Sequence, residues 1–128
     1  MIELRIIIAG GRDFNNYELL KEKVFNIVKC ENKSKDHIKI VSGGARGADT
    51  LGERFAKEFD LKVCRFIPDW NGLGKRAGYV RNVDMAKYSI ENNNRGMLIA
   101  FWDGKSKGTK HMIDLAKSYN LEVHVINY

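Results

Sequence analysis

The sequence predicts an α/β domain, small and Rossmann-like, with about five mostly parallel strands and helices on both faces. Three observations predict it. Short apolar runs alternate along the chain with longer segments whose apolar residues recur every three or four positions. The strand-like run 38–41 passes directly into Ser42-Gly43-Gly44-Ala45-Arg46-Gly47-Ala48-Asp49, and a helix-like run leaves it. Glycine clusters follow the first four strand-like runs, whereas the connections 31–36 and 91–94 on the opposite side are polar without them.

Each element has its own warrant. Residues 4–9 read as a buried strand because Ile6-Ile7-Ile8-Ala9 is uninterrupted, the pattern of a strand covered on both faces. Residues 1–5 therefore open a strand and not a secretory leader. The strand ends in Gly10-Gly11-Arg12-Asp13-Phe14. Asn15 or Asn16 caps a helix whose Tyr17, Leu20, Val24, Ile27 and Val28 share a face, with Cys30 at its end. The second strand, 38–41, leads through the glycine loop to a helix over 48–59, where Leu51, Phe55 and Phe59 repeat every four residues. The third strand, 61–67, stops at Pro68, which has no N–H for a ladder. Residues 69–78 read as the longest irregular stretch, followed by a helix over 79–90 and a strand over 96–101. The last helix, 109–119, carries Met112, Leu115, Ala116 and Tyr119 on one face with Asn120 as its C-cap, and a strand over 121–126 closes the fold. An order such as 3-2-1-4-5 sets the loops after strands 1 and 4 beside the switch point, where open α/β sheets bind ligands.

With 128 residues the chain makes one domain, 1–128, large enough for a core and too small for two. No apolar run reaches membrane-spanning length, so no membrane partner is expected. Two cysteines form no disulfide framework and fit a reducing cytoplasm. A net charge of +6 favours an anionic partner, either a small phosphorylated molecule or nucleic acid. Lys21, Lys23, Lys29, Lys33, Lys35 and Lys39 lie mainly away from the glycine loops, which makes nucleic acid the second choice.

The loops after the first four strands each combine glycine, a basic residue and an aspartate: Gly11/Arg12/Asp13, Gly44/Arg46/Asp49, Gly74/Arg76/Asp69 and Gly104/Lys105/Asp103. Cations, acids and bare backbone at one edge suit a ligand with phosphates and hydroxyls. In the central loop Ser42 offers a hydroxyl and Arg46 a planar fork of donors. Asp49 falls in the first helical turn, able to cap it or to accept a ribose hydroxyl. Other motifs fail. Gly104-Lys105-Ser106 lacks the earlier glycine of a P-loop, and Gly10-Gly11 does not continue as a dinucleotide fingerprint. His37, His111 and His124 have no ligand spacing, so neither a metal nor another cofactor is expected.

Gly10-Gly11-Arg12, the Ser42–Asp49 run, Pro68-Asp69-Trp70, Ala77-Gly78-Tyr79-Val80-Arg81-Asn82 with Met85, and Gly108-Thr109 together resemble the YspA-type, cpYpsA-related branch of the SLOG superfamily. That superfamily also holds the DNA-processing protein DprA and the LOG phosphoribohydrolases. The resemblance spans nearly the whole chain and implies a Rossmann-like fold that binds nucleotides or nucleotide-derived ligands. Members act as ligand sensors, as nucleotide-processing enzymes or in phage–host conflict, and many self-associate, so a homo-oligomer is expected. By position, Gly10, Gly11 and Arg12 would line the first loop. Ser42, Gly43, Gly44, Ala45, Arg46 and Gly47 would meet phosphate or ribose. Arg81 and Asn82 match an arginine-led run of LOG proteins, and Gly108 and Thr109 would turn the amino end of the last helix to phosphate. Where LOG proteins carry the glutamate of G-T-x-x-E this chain has Met112, which cannot act as acid or base.

Asp49, Asp69 and Asp103 are the remaining candidates for a catalytic carboxylate, and each also has a structural role at a turn or first helical turn. Trp70 and Trp102 flank two of them, available to stack on a base or to pack under their loops. Three functions are in play: a nucleotide-ligand sensor or sequestering protein, a nucleotide N-glycosidase or phosphoribohydrolase, and a DprA-like single-stranded DNA-binding mediator. The first is the leading expectation.

Overall fold

A computed structural model describes residues 2–128; Met1, read above with the opening strand, lies outside the described residues. The strands are β1 (Leu4–Gly10), β2 (Ile38–Ser42), β3 (Lys62–Arg65), β4 (Arg95–Trp102) and β5 (Glu122–Asn127). The helices are α1 (Tyr17–Lys29), α2 (Ala48–Glu58), α3 (Trp70–Leu73), α4 (Ala77–Ile90) and α5 (Lys107–Ser118). All strand pairs are parallel, in the order β3-β2-β1-β4-β5. The α/β class and the strand order are those the sequence predicts.

Successive side chains of a strand point to opposite faces, and β1 shows why its run is apolar throughout. Ile6 and Ile8 pack with Leu20, Val24 and Phe55 of α1 and α2. Ile7 and Ala9 pack with Met85, Ala86, Met112 and Ala116 of α4 and α5. The sheet is thus buried on both faces, and its central strands β1 and β4 are almost wholly buried. Edge strand β3 is mostly exposed.

Local signals account for the helix ends. Asn16 accepts the Leu19 N–H at 3.1 Å, which starts α1. Asn120 sits at φ 62° after α5, and the Leu121 N–H returns to the Ala116 carbonyl at 2.9 Å. Asp60, at φ 57°, and Leu61 close α2 the same way, with Leu61 N–H on the Ala56 carbonyl at 2.8 Å. This draws Leu61 out of the third strand, which is shorter than its apolar run. The stretch 69–78 is not irregular. The Asp69 side chain accepts the Gly72 N–H at 2.9 Å and nucleates α3, a 3₁₀ turn over Gly74–Arg76 follows, and α4 starts two residues earlier than its apolar period implies. None of the helices is long and apolar enough to cross a membrane among the described residues.

Candidate functional site

A cleft of about 680 Å³ opens at the carboxyl ends of the strands, around the switch point between β1 and β4. Three connections and two helix faces wall it. Gly10, Gly11 and Arg12 come from the end of β1 and its loop, Ala45, Arg46 and Asp49 from the β2–α2 loop and first turn, and Asp103 from the β4–α5 connection with Gly108 and Thr109 from the first turn of α5. Trp70 of α3, Arg81 and Asn82 of α4 complete the part of the predicted set that lines this cleft. A second hollow of about 390 Å³ adjoins it and takes Gly43 and Gly44 into its wall.

The two glycine loops are tied together by one carbonyl. Gly11 O accepts the N–H of Phe14 and, at 3.2 Å, the N–H of Ala48 at the start of α2. This close approach explains Gly47. It holds φ 83° and ψ −130°, and a Cβ there would run into the Gly11 carbonyl oxygen and lie 2.7 Å from Arg12 Cα. Gly47 shapes the loop and does not face the cleft.

Two other predicted residues, Ser42 and Asp69, lie outside the wall of this cleft, and the open choice between stacking and packing for the two tryptophans is resolved. Ser42 is buried, its hydroxyl donating to Glu53 Oε2 at 2.6 Å and accepting the Gly44 N–H at 3.1 Å. It braces the loop from behind. Asp69 is outside the cleft lining and acts as the N-cap of α3. Trp102 turns inward, donating its indole N–H to the Ser106 carbonyl at 3.1 Å. Trp70 is about half exposed and is the tryptophan that stands at the cleft.

The three aspartates separate by environment. Asp103 accepts the Lys105 and Ser106 N–H groups, both at 2.8 Å, and these bonds hold its carboxyl below the usual carboxylate range. Asp49 does not cap α2; it reaches back to accept the Ala45 N–H at 3.3 Å. It is only 5% exposed, and burial pushes its carboxyl up to about 6 against the pull of the nearby Arg81 charge and the Ala45 N–H.

Arg81 and Asn82 organise the α4 wall. Arg81 donates to the Gly43 carbonyl at 2.6 Å and to Asn82 Oδ1 at 3.0 Å. With its oxygen so engaged, Asn82 turns its amide nitrogen to His111 Nδ1 at 3.1 Å. An acceptor role at Nδ1 wants a neutral imidazole, and burial lowers the His111 pKa in the same direction. Among the described residues Arg12, Arg46, Lys75 and Arg81 have no ion-pair partner; they share the cleft wall with Asp13, Asp49 and Asp103, four cations to three carboxyls. No cluster of metal-ligating side chains is present among the described residues.

Lining residues that the sequence reading gives no ligand role include Lys75, Tyr79, Met85 and Ser106, although Tyr79 and Met85 stand in the α4 run from Ala77 to Met85. A signal for part of them exists: Gly78, Arg81, Asn82 and Met85 recur every three or four residues on one face of α4. Met112, at the LOG glutamate position, also lines the cleft and is buried.

A model of the YspA, cpYpsA-related SLOG family matches residues 4–72. The chain is also similar to the Gene 61 protein of Mycobacterium phage D29, at 29% identity over 125 residues covering 93% of each chain. No solved structure matches.

Proposed function

The chain belongs to the YspA, cpYpsA-related SLOG family, and from that premise we propose that its cleft binds a small nucleotide or nucleotide-derived ligand, as a sensor or a sequestering protein. The observation that carries the reading is the cleft's composition: glycine backbone from two tied loops, Arg12, Arg46 and Arg81 without an ion-pair partner among the described residues, and the exposed Trp70. Phosphate meets the guanidiniums and the glycine loops. The amino end of α5, at Gly108 and Thr109, faces a phosphate or the ribose hydroxyls. Trp70 stacks on the base. A setting in phage–host conflict accords with the family resemblance and with a relative that is a phage protein. Free thiols at Cys30 and Cys64 suit a cytoplasmic protein, and a homo-oligomer is part of the same proposal.

One observation favours a second reading. Asp49 is a buried carboxyl that lines the cleft and titrates near pH 6, the property of a general acid in a nucleotide N-glycosidase or phosphoribohydrolase. Asp103 is engaged in its own loop and Asp69 in its cap, which leaves Asp49 as the acid of that alternative.

The test is a panel of nucleotides read by melting temperature and ligand mass together. A ligand that raises the melting temperature and returns intact supports the sensor reading. Return as free base plus ribose phosphate replaces it with the enzyme. If only single-stranded DNA binds, with steep loss of affinity in salt, the DprA-like reading takes its place. For a bound nucleotide, Arg81→Ala is expected to weaken affinity by about tenfold or more, the worth of a charge-assisted phosphate contact; unchanged affinity by calorimetry removes Arg81 from the site. Trp70→Ala is expected to lose about tenfold in affinity with an unchanged melting temperature, since the ring is exposed and its contribution is stacking on the ligand.

A further inference from the structure

We infer that the ligand is two-lobed: a dinucleotide, in which phosphate joins a nucleoside in the main cleft to a second nucleoside or ring in the adjoining hollow. The inference rests on the nucleotide reading above. The two hollows are not separate features, because Arg12, Ala45, Arg46, Trp70 and Arg81 line both. The divide therefore carries three guanidiniums, and none has an ion-pair partner among the described residues.

Beyond that divide the chemistry changes. The walls belonging to the second hollow alone are the backbone of Gly43 and Gly44 with Ile67 and Pro68. They hold no cation. Two of their polar groups are already used: the Gly43 carbonyl by Arg81 and the Gly44 N–H by Ser42. Ile67 is 60% exposed, an apolar surface open to solvent beside positive charge. A terminal phosphate gains nothing from such a wall. A flat or apolar ring covers Ile67 and Pro68, while the phosphate that carries it remains among the arginines. Anion in the middle and an organic group at each end is the layout of a dinucleotide; a mononucleotide leaves the second hollow empty.

Calorimetry with three probes tests this: AMP, the 5′–5′ pyrophosphate-linked NAD⁺, and the 3′–5′ phosphodiester ApA. At least one of the two dinucleotides is expected to bind about tenfold tighter than AMP, and which one does so separates a pyrophosphate bridge from a phosphodiester. Ile67→Trp fills the second hollow and Ile67→Ser takes away its apolar cover without adding charge beside the phosphate, and both changes fall on an exposed side chain outside the core. Each is expected to bring the preferred dinucleotide down to the AMP level and to leave AMP affinity unchanged. If AMP binds as tightly as both dinucleotides, or if the Ile67 variants weaken AMP and dinucleotide alike, the two-lobed ligand is overturned while the nucleotide reading stands. If none of the three binds, both are overturned.

Discussion

Gly47→Ala is expected to lower the unfolding free energy by about 2–5 kcal/mol and, on the proposed function, to abolish nucleotide binding, because two costs fall on one atom. The backbone at Gly47 lies at φ 83° and ψ −130°, a region that residues with a Cβ scarcely enter. The added methyl also strikes main chain and not a movable side chain: the Gly11 carbonyl oxygen, and Arg12 Cα at 2.7 Å. Relief requires the β1 loop to part from α2, which breaks the bond from Ala48 N–H and displaces Arg12. Gly104→Ala is the control. Gly104 shares φ 83°, yet nothing lies within 4 Å of its would-be Cβ, so it costs the conformational strain alone, about 1 kcal/mol. Urea denaturation of the two variants side by side separates strain from collision; equal losses would mean that the approach of the two loops contributes nothing.

Asp49→Asn is expected to stabilise the unliganded protein at neutral pH. The carboxyl titrates at about 6 in the fold against 3.8 ordinarily. At 1.36 kcal/mol per unit, ionising it inside the protein costs up to about 3 kcal/mol. The sign follows from the direction of the shift. The folded state holds this proton more tightly than the unfolded chain, so the favourable contribution is complete below about pH 4 and is lost as pH rises through about 6. The asparagine variant does not titrate. It should therefore exceed the parent in stability at pH 7, with the difference shrinking toward pH 4, as read from denaturation curves at several pH values. A variant less stable than the parent at pH 7 would show instead that ionised Asp49 is held by Arg81 as a working ion pair. If the enzyme reading is right, the same variant binds nucleotide and leaves it uncleaved.

The strands and four of the helices were legible because burial on both sheet faces leaves a plain mark. Ile6 to Ala9 cannot alternate when α1 and α2 cover one face and α4 and α5 the other. The segment after β3 was misread because Asn71, Gly72 and Gly74 are poor helix formers, and a single turn held by the Asp69 cap needs no propensity. At the site, local motifs located the loops but not the direction in which their side chains face. Ser42 read as a ligand contact; its hydroxyl points to Glu53, a residue that on a helix face rich in charge carried no signal of its own. Only the fold brings α2 and the end of β2 together. Trp70 and Trp102 were indistinguishable in sequence, since the Ser106 carbonyl that turns Trp102 inward is fixed by the Asp103 turn.

The Gly11 carbonyl has a mechanical consequence. Because it receives N–H groups from its own loop and from the start of α2, opening of the loop after β1 breaks a bond of the loop after β2 as well, and the two are expected to move as a coupled pair. The amides of Phe14 and Ala48 should then exchange with solvent in one shared event. On the proposed function, a nucleotide arriving at such a joint would find most of its first contacts already in place and spend little entropy on ordering them. Its association rate is then set by encounter with the cationic mouth, falling as salt screens it, and not by a wait for loops to close.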